Sequence, residues 1–145
     1  MPDPTVHMLT SLSSADYESI CQLLPQMSSS PLPTPEHLSH VVESTNNRVL
    51  VARIDGRIVG MLTVVIIDIP TKRAAHIDDV VVDEHTRGKG IGRALARAAV
   101  DEARRAGARH VDLTSRPERE AANHLYQSLG FAQRSTSMYR LDLSR

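Results

Sequence analysis

One stretch of the chain, residues 80–95 (VVVDEHTRGKGIGRAL), limits what the fold can be. It opens with three valines, which are typical of the end of a buried strand, and apolar residues recur at helical spacing from Ile91 onward. Gly88, Gly90 and Gly92 lie between the two patterns. The first N–H groups of a helix lack backbone partners and carry the positive end of its dipole, and glycine lets a ligand approach them closely. The stretch therefore predicts a strand-to-helix turn that binds an anion.

The length and charge of the chain restrict its class. It has 145 residues, which is the usual size of one domain, so we expect residues 1–145 to form a single domain. Its 17 basic and 17 acidic residues balance, and we therefore expect no nucleic-acid partner. The first residues lack a signal-peptide pattern and the longest apolar run is too short to cross a bilayer. We expect a cytoplasmic protein without membrane contact, and a homodimer stays open.

Cysteine and histidine usage argues against disulfide and metal chemistry. The single cysteine, Cys21, excludes an internal disulfide, and we expect it to be a packed thiol. The seven histidines show neither a His-Glu-x-x-His motif nor a spacing that pairs them with cysteines. We therefore expect no metal site.

The rest of the chain alternates between helical and strand patterns. Helices are predicted over residues 13–24, 34–44, 90–106 and 118–129, the last with Pro117 at its start and Gly130 at its end. Two strands joined through Asp55 and Gly56 are predicted within residues 48–68, with others over 75–83 and 110–115 and a closing pair over 131–143. This order favours an α/β fold with a mixed sheet packed by helices.

Two common phosphate-binding turns do not match the glycine turn, residues 87–92. A P-loop needs a Ser or Thr after its lysine, whereas Gly90 follows Lys89. The dinucleotide motif needs G-x-G-x-x-G, whereas the glycines here are spaced G-x-G-x-G. A pyrophosphate-binding turn of another kind remains.

Two motifs resemble those of the Gcn5-related N-acetyltransferases (GNAT family). Residues 87–92, RGKGIG, resemble the R-x-x-G-x-G/A motif, and residues 121–131, AANHLYQSLGF, resemble the later Asn-x-x-Tyr helix that ends in Gly-Phe. The resemblance covers residues 3–143. It implies a mixed, mostly antiparallel sheet that is splayed at its centre and flanked by about four helices. It also implies direct transfer of an acetyl group from acetyl-CoA to a primary amine.

The resemblance further implies which residues hold the donor. The backbone of the glycine turn would bind the pyrophosphate, amides near the end of the preceding strand would bind the thioester carbonyl, and Tyr126 would protonate the departing thiolate. Tyr126 as an ordinary core aromatic is the alternative. The donor-binding residues expected on this basis are Val80, Val81, Val82, Arg87, Gly88, Lys89, Gly90, Ile91, Gly92, Arg93, Asn123 and Tyr126.

Asp78 and Asp79 are the candidates for the general base. They lie side by side in an apolar strand, and successive strand residues point to opposite faces, so only one faces the cleft unless a bulge intervenes. The glucosamine-phosphate N-acetyltransferases carry a similar His-Ile-Glu-Asp sequence, which places their acidic residue at Asp78. Either carboxylate could instead satisfy neighbouring donors, and a water could bridge carboxylate and amine.

The acceptor is indicated only by composition. The first 45 residues offer one aromatic, Tyr17, which favours a small polar amine over a bulky aromatic one. Lys72 and Arg73 are candidates for holding a phosphate or carboxylate of that amine. Two alternatives stay open: an acetyltransferase for a protein N-terminus or lysine, and a non-catalytic module that binds CoA.

Overall fold

A computed structural model describes residues 3–144 of the chain. It divides into two compact units, the first ending at Thr114 and the second beginning at Ser115. None of the helices within residues 3–144 is both long and apolar enough to span a membrane. The single-domain organisation stays a prediction.

The first unit is built on a sheet of five strands in chain order: β1 (Thr5–Leu9), β2 (Asn47–Ile54), β3 (Arg57–Ile69), β4 (Lys72–Val82) and β5 (Val111–Asp112). The first four strands pair antiparallel, whereas β4 and β5 are parallel. The predicted mixed, mostly antiparallel sheet is therefore confirmed. The sequence pattern did not indicate β1, an edge strand in which only Leu9 is buried.

The turn between β2 and β3 has the conformation that its sequence predicts. Asp55 and Gly56 have φ of 51° and 80°, so both central residues lie in the left-handed region. Short hairpins favour this geometry because it matches the twist of the flanking strands, and Asp-Gly adopts it readily. The turn sets the first two residue pairs, Ile54 with Arg57 and Arg53 with Ile58, and the register then shifts by one residue at Ala52, which pairs with Gly60.

Three helices of the first unit begin where the sequence predicts. Helix α1 (Ser14–Leu23) is capped by Ser13, whose side chain accepts a hydrogen bond from the Asp16 N–H. Helix α2 (Pro35–Glu43) is capped in the same way by Thr34. Such caps satisfy N–H groups that the helix leaves unpaired. Helix α3 (Ile91–Arg105) starts after Gly90, which has left-handed φ and ψ of 76° and 14°.

The helices of the first unit cover both faces of the sheet. Helices α1 and α2 bury an apolar cluster with β2, β3 and β4 that includes Val51, Met61 and Val81. Helix α3 approaches β3 closely at Gly60, where an added Cβ would lie 3.0 Å from Ile91 Cγ2 and 3.1 Å from Leu95 Cδ1. Glycine at this position therefore sets how near the start of α3 comes to the sheet.

The second unit contains helix α4 (Glu120–Ser128). The predicted start at Pro117 is wrong, because α4 begins after Arg119, whose N–H closes a turn onto the Arg116 carbonyl. The predicted strands over residues 131–143 are also wrong, since no strand forms among residues 115–144 that the structure describes. Apolar and polar residues alternate only over 139–143, and Tyr139 and Leu141 there are exposed, without the paired neighbour that a strand needs.

Strand β5 is shorter than predicted. Only Val111 and Asp112 of the expected strand over residues 110–115 pair with β4, opposite Ala75 and His76. The predicted strand is therefore confirmed in position and wrong in extent. Pairing continues only while both backbones stay within hydrogen-bonding distance, and the two strands share two residue pairs.

The tight contact at Gly60 gives the first prediction. We expect Gly60→Ala to lower the free energy of unfolding by about 1–3 kcal/mol, the usual cost of an extra methyl group in a packed core. Urea unfolding measures this change.

A double-mutant cycle with Leu95→Ala is the control. Leu95→Ala alone should destabilise by about 2–5 kcal/mol, but it also makes room for the added methyl group. The double variant should therefore be more stable than the sum of the single changes by about 0.5 kcal/mol or more. Additive effects would show that the methyl group does not meet Leu95.

Candidate functional site

The glycine turn connects β4 to α3. A short 3-10 turn at Glu84–Thr86 comes first, and Gly88 and Gly90 then adopt positive φ of 83° and 76°. A Cβ added at either glycine would meet no atom within 4 Å, so the space beside the backbone is open. A residue with a side chain would be strained at these positive φ values, which favours glycine at both positions. The missing side chains leave room for a ligand beside the backbone.

The start of α3 differs chemically from the starts of α1 and α2. Gly90 occupies the N-cap position of α3 and has no side chain. Within the described chain the first turn of α3 therefore lacks a side-chain acceptor such as Ser13 and Thr34 supply to α1 and α2. Arg87 and Lys89 beside it are exposed. Uncapped N–H groups next to cationic side chains form an anion-binding site. The geometry thus fits the pyrophosphate turn expected from the sequence.

Strand β4 contains a bulge immediately before this turn. Thr63 pairs with Asp78 and Met61 with Val81, so Asp79 and Val80 together oppose a single residue of β3. Asp79 has φ of 52°, in the left-handed region that few non-glycine residues occupy. The extra residue places Asp78 on the same face as Val81, although the two are three positions apart. That is the face covered by α1 and α2.

The two adjacent carboxylates differ in their surroundings. Asp78 Oδ1 accepts a hydrogen bond of 3.0 Å from the Asp79 N–H. Partial burial raises the pKa of the Asp79 carboxyl, and the nearby charge of Asp78 raises that pKa further. Asp79 is therefore a stronger base than an ordinary aspartate, which is the direction that proton abstraction from an amine requires.

The edge of β4 beyond the bulge is open. Strand β5 pairs with β4 only at Ala75 and His76, so no strand in the described part of the chain pairs with that edge near the bulge. The Asp83 N–H donates to the Val59 carbonyl on β3. Because successive amides alternate along a regular strand, the neighbouring Val82 amide points to the opposite, open edge. A donor there is available to a carbonyl oxygen.

Tyr126 is the buried residue of α4 in the second unit. Its ring packs edge-to-face against Phe131, with centroids 5.9 Å apart and an interplanar angle of 65°. Burial raises the pKa of the Tyr126 hydroxyl, and Arg119 offsets this in part. Asn123 in the same helix donates a hydrogen bond of 2.9 Å to the Arg116 carbonyl. The donor-site roles of Tyr126 and Asn123 stay predictions.

Lys72 and Arg73 lie at the opposite end of β4 from the bulge. Arg73 makes a two-point ion pair with Asp68 at 2.7 and 3.1 Å, and it donates to the Ala106 carbonyl at the end of α3. Lys72 and Asp78 are six positions apart on the strand, which corresponds to roughly 20 Å. This placement favours a structural role for Arg73 and disfavours both cations as a subsite for a small acceptor.

Sequence reasoning missed Asp83 and Gln26. Asp83 is buried, 8% exposed, and its carboxylate accepts hydrogen bonds from the His85 N–H and the Gln26 side chain and lies 3.6 Å from Arg57. An aspartate between a strand and a short turn is a capping signal that could have indicated Asp83. No local signal indicates Gln26, because its partners are 57 and 58 positions away.

The raised pKa of Asp79 gives a prediction about stability. Its carboxyl has a higher pKa in the folded chain than in the unfolded chain, so ionisation destabilises the fold. The penalty is absent below the ordinary aspartate value of 3.8 and develops as the pH rises through the folded-state pKa. We expect Asp79→Asn to melt above the parent at pH 7, with the difference shrinking toward pH 3.

The matched control is Asp55→Asn, since Asp55 has nearly the same φ of 51°. Asparagine enters the left-handed region easily, and this variant measures that backbone contribution alone. A melting-temperature difference for Asp79→Asn that does not change with pH would contradict the raised pKa.

Comparisons with known proteins agree with the geometry. Residues 11–131 match the model of the Acetyltransferase (GNAT) family. A glucosamine 6-phosphate N-acetyltransferase of Trypanosoma brucei brucei is 31% identical over 140 residues, which covers 91% of this chain and 92% of that protein. The crystal structure of a Trypanosoma brucei acetyltransferase has a TM-score of 0.81 and 29% identity, covering 97% of this chain and all of that one.

Other similarity is confined to part of the chain. An uncharacterized N-acetyltransferase of Methanocaldococcus jannaschii is 36% identical over 67 residues, and the matched region spans 46% of this chain and 30% of that protein. The chain therefore covers less than a third of this relative, in contrast to its nearly complete overlap with the trypanosome protein.

Proposed function

The chain belongs to the Acetyltransferase (GNAT) family, and we propose that it transfers the acetyl group of acetyl-CoA directly to the amine of a small, anionic acceptor. The observation that carries the proposal is the glycine turn, where two left-handed glycines with open space beside them precede an uncapped helix. A bulged strand with an open edge leads into that turn. In this proposal these features would supply an anion site and carbonyl-binding amides on one continuous stretch of backbone.

The glycine turn would hold the donor through its pyrophosphate. Backbone N–H groups at the start of α3 favour negative charge because of their unpaired hydrogens and the helix dipole. The exposed side chains of Arg87 and Lys89 add positive charge beside the turn. We assign the same function to the amides of Gly88, Gly90 and Gly92, which lie along the turn.

The open edge of β4 would hold the thioester carbonyl. In the reaction the amine nitrogen attacks the carbonyl carbon, the C–S bond breaks, and the thiolate takes up a proton. Negative charge develops on the carbonyl oxygen, and the Val80 and Val82 amides, at the bulge and beside the open edge, would donate to it. A donor of this type contributes about 2.7–4 kcal/mol to catalysis.

The carboxylates at the bulge would take the proton that the amine loses. Asp79 has the raised pKa, and Asp78 lies on the face that α1 and α2 cover. We propose that this pair accepts the proton, directly or through a water molecule. Tyr126 would return a proton to the thiolate, because a hydroxyl with a raised pKa stays protonated at neutral pH.

An amino sugar phosphate is the acceptor class that we propose. The trypanosome relative named for glucosamine 6-phosphate matches over nearly the whole of both chains. Tyr17 is the only aromatic residue among residues 3–45, and its hydroxyl donates to the Pro33 carbonyl. The test is an assay of free CoA thiol over phosphorylated amino sugars, other small amines and peptides. Turnover on peptides alone would contradict this acceptor class and would identify the acceptor as a protein N-terminus or lysine.

Gly90→Asp tests the donor assignment. CoA should raise the melting temperature of the parent, since a ligand at a hundredfold excess over its dissociation constant stabilises the native state by about 2.7 kcal/mol. We expect Gly90→Asp to abolish this shift, because a carboxylate would lie where the pyrophosphate binds. Thermal unfolding with and without millimolar CoA is the measurement.

Gly90→Asn is the matched control for this experiment. Asparagine has the size of aspartate and also tolerates the left-handed conformation of Gly90, but it carries no charge. It should retain part of the CoA-dependent shift. No shift in the parent at millimolar CoA would refute acetyl-CoA as the donor.

Tyr126→Phe tests the proton donor. The change removes the hydroxyl and keeps the ring contact with Phe131. We expect turnover to fall by about 10²-fold or more, in the range of general-acid contributions, while the affinity for CoA stays nearly unchanged. Tyr139→Phe is the control because Tyr139 is 92% exposed. Full turnover of Tyr126→Phe across the pH range would assign Tyr126 to the core alone.

A further inference from the structure

The side-chain amide of Gln26, which follows α1, makes two hydrogen bonds to the link between β4 and the glycine turn. Its Oε1 accepts a hydrogen bond of 3.0 Å from the Glu84 N–H, and its Nε2 donates to Asp83 Oδ1 at 3.4 Å. A backbone N–H can only donate, so the contact with Glu84 fixes which end of the amide is oxygen. Both partners belong to the short link between β4 and the glycine turn.

Asp83 makes this link rigid. It is one of the two polar residues buried among residues 3–144, with 8% of its surface exposed. Its N–H donates to the Val59 carbonyl, and its own carbonyl accepts from the Thr86 N–H and hydroxyl. Every polar group of Asp83, which connects β4 to the glycine turn, therefore has a partner. Gln26, just after α1, supplies one of these partners.

Gln26 is also the last residue before an exposed connecting segment, residues 27–33, which joins α1 to α2. Among the described residues, the hydrogen bonds of residues 27–32 go to Leu24 or to one another. At the far end, the Tyr17 hydroxyl donates to the Pro33 carbonyl at 2.7 Å. Met27 and Leu32 are 39% and 51% exposed. The segment is thus anchored at its two ends and free between them.

The connecting segment lies between the helices that cover the face bearing Asp78. Thr63 pairs with Asp78, and Met61, two residues earlier on β3, is buried under α1 and α2. Because residues two apart on a strand share a face, Asp78 points to the side of the sheet from which the segment emerges. An amine that reaches the carboxylates at the bulge approaches from this side.

We propose that Gln26 is a positioning residue that couples the connecting segment to the glycine turn. This proposal rests on the proposed function, because it takes the turn as the donor site. A donor bound at the turn restrains the end of the link at Glu84, and through the bond from the Glu84 N–H to Gln26 it orders the segment that the acceptor meets. Donor binding thereby prepares the acceptor side, and the acceptor selectivity of this chain depends on a residue that touches neither substrate's reacting atoms.

Hydrogen exchange tests this coupling without knowledge of the acceptor. In the parent, CoA should slow amide exchange in residues 88–92 by direct binding. It should also slow exchange in residues 27–33 by about fivefold or more, the lower end of coupling between linked sites. Mass spectrometry of peptides from both regions, with and without millimolar CoA, gives the two effects separately.

The variants of Gln26 are designed around its partner. Gln26→Glu places a second carboxylate against Asp83, so the bridge should break, and CoA should then protect residues 88–92 only. Gln26→Ala should behave as Gln26→Glu does and covers the case in which the charged variant fails to fold.

Tyr17→Phe is the matched control because it releases the other end of the segment. It should speed exchange in residues 27–33 with and without CoA, while the response to CoA persists. Protection of residues 88–92 without any in residues 27–33 of the parent would overturn the coupling, as would full protection in Gln26→Glu. If CoA protects neither region, the donor assignment itself fails and the coupling falls with it.

Discussion

The bulge in β4 is the constraint on which the candidate site depends. It sets Asp79 and Val80 opposite one residue of β3 and holds Asp79 at a φ of 52°. Backbone strain of this kind costs about 1–3 kcal/mol, so it persists only where the surroundings fix it. Here the ladder continues on both sides of the bulge, between Thr63 and Asp78 and between Met61 and Val81. The single inserted residue places Asp78 on the same face as Val81 and sets Asp79 in the left-handed region.

The glycine turn takes its position from two independent sides. Helix α3 packs closely on β3 because Gly60 has no side chain, so that Ile91 and Leu95 come within contact distance of the sheet. The link from β4 is held by Asp83, which engages β3 through its backbone and Gln26 through its carboxylate. An anion site made of backbone amides is only as well ordered as the segments that carry it, and both segments here are packed or hydrogen-bonded.

Charge in the first unit is divided between structural and site roles. Arg53 makes two hydrogen bonds of 2.8 Å to Asp16, which lowers the pKa of that carboxyl and joins α1 to β2. Arg73 joins the hairpin of β3 and β4 to the end of α3 in the same way. The exposed cations of the glycine turn, Arg87 and Lys89, are the ones that we propose for the donor site. The arginines with structural roles, Arg53 and Arg73, are thus the ones that form an ion pair with an aspartate of the fold.

The sequence by itself determined what depends on residues close together in the chain. Helix caps at Ser13 and Thr34, the Asp55-Gly56 turn, the glycine turn and the family all follow from such patterns, and the structure and comparisons confirm them. Tertiary structure alone decided the bulge at Asp79, the Asp68 partner of Arg73 and the contact of Gln26 with Asp83. It also decided that residues 131–143 form no strand, although apolar and polar residues alternate over 139–143. The physical reason is that strand register, pairing and side-chain contacts depend on partners that chain folding brings together, and no local pattern encodes those partners.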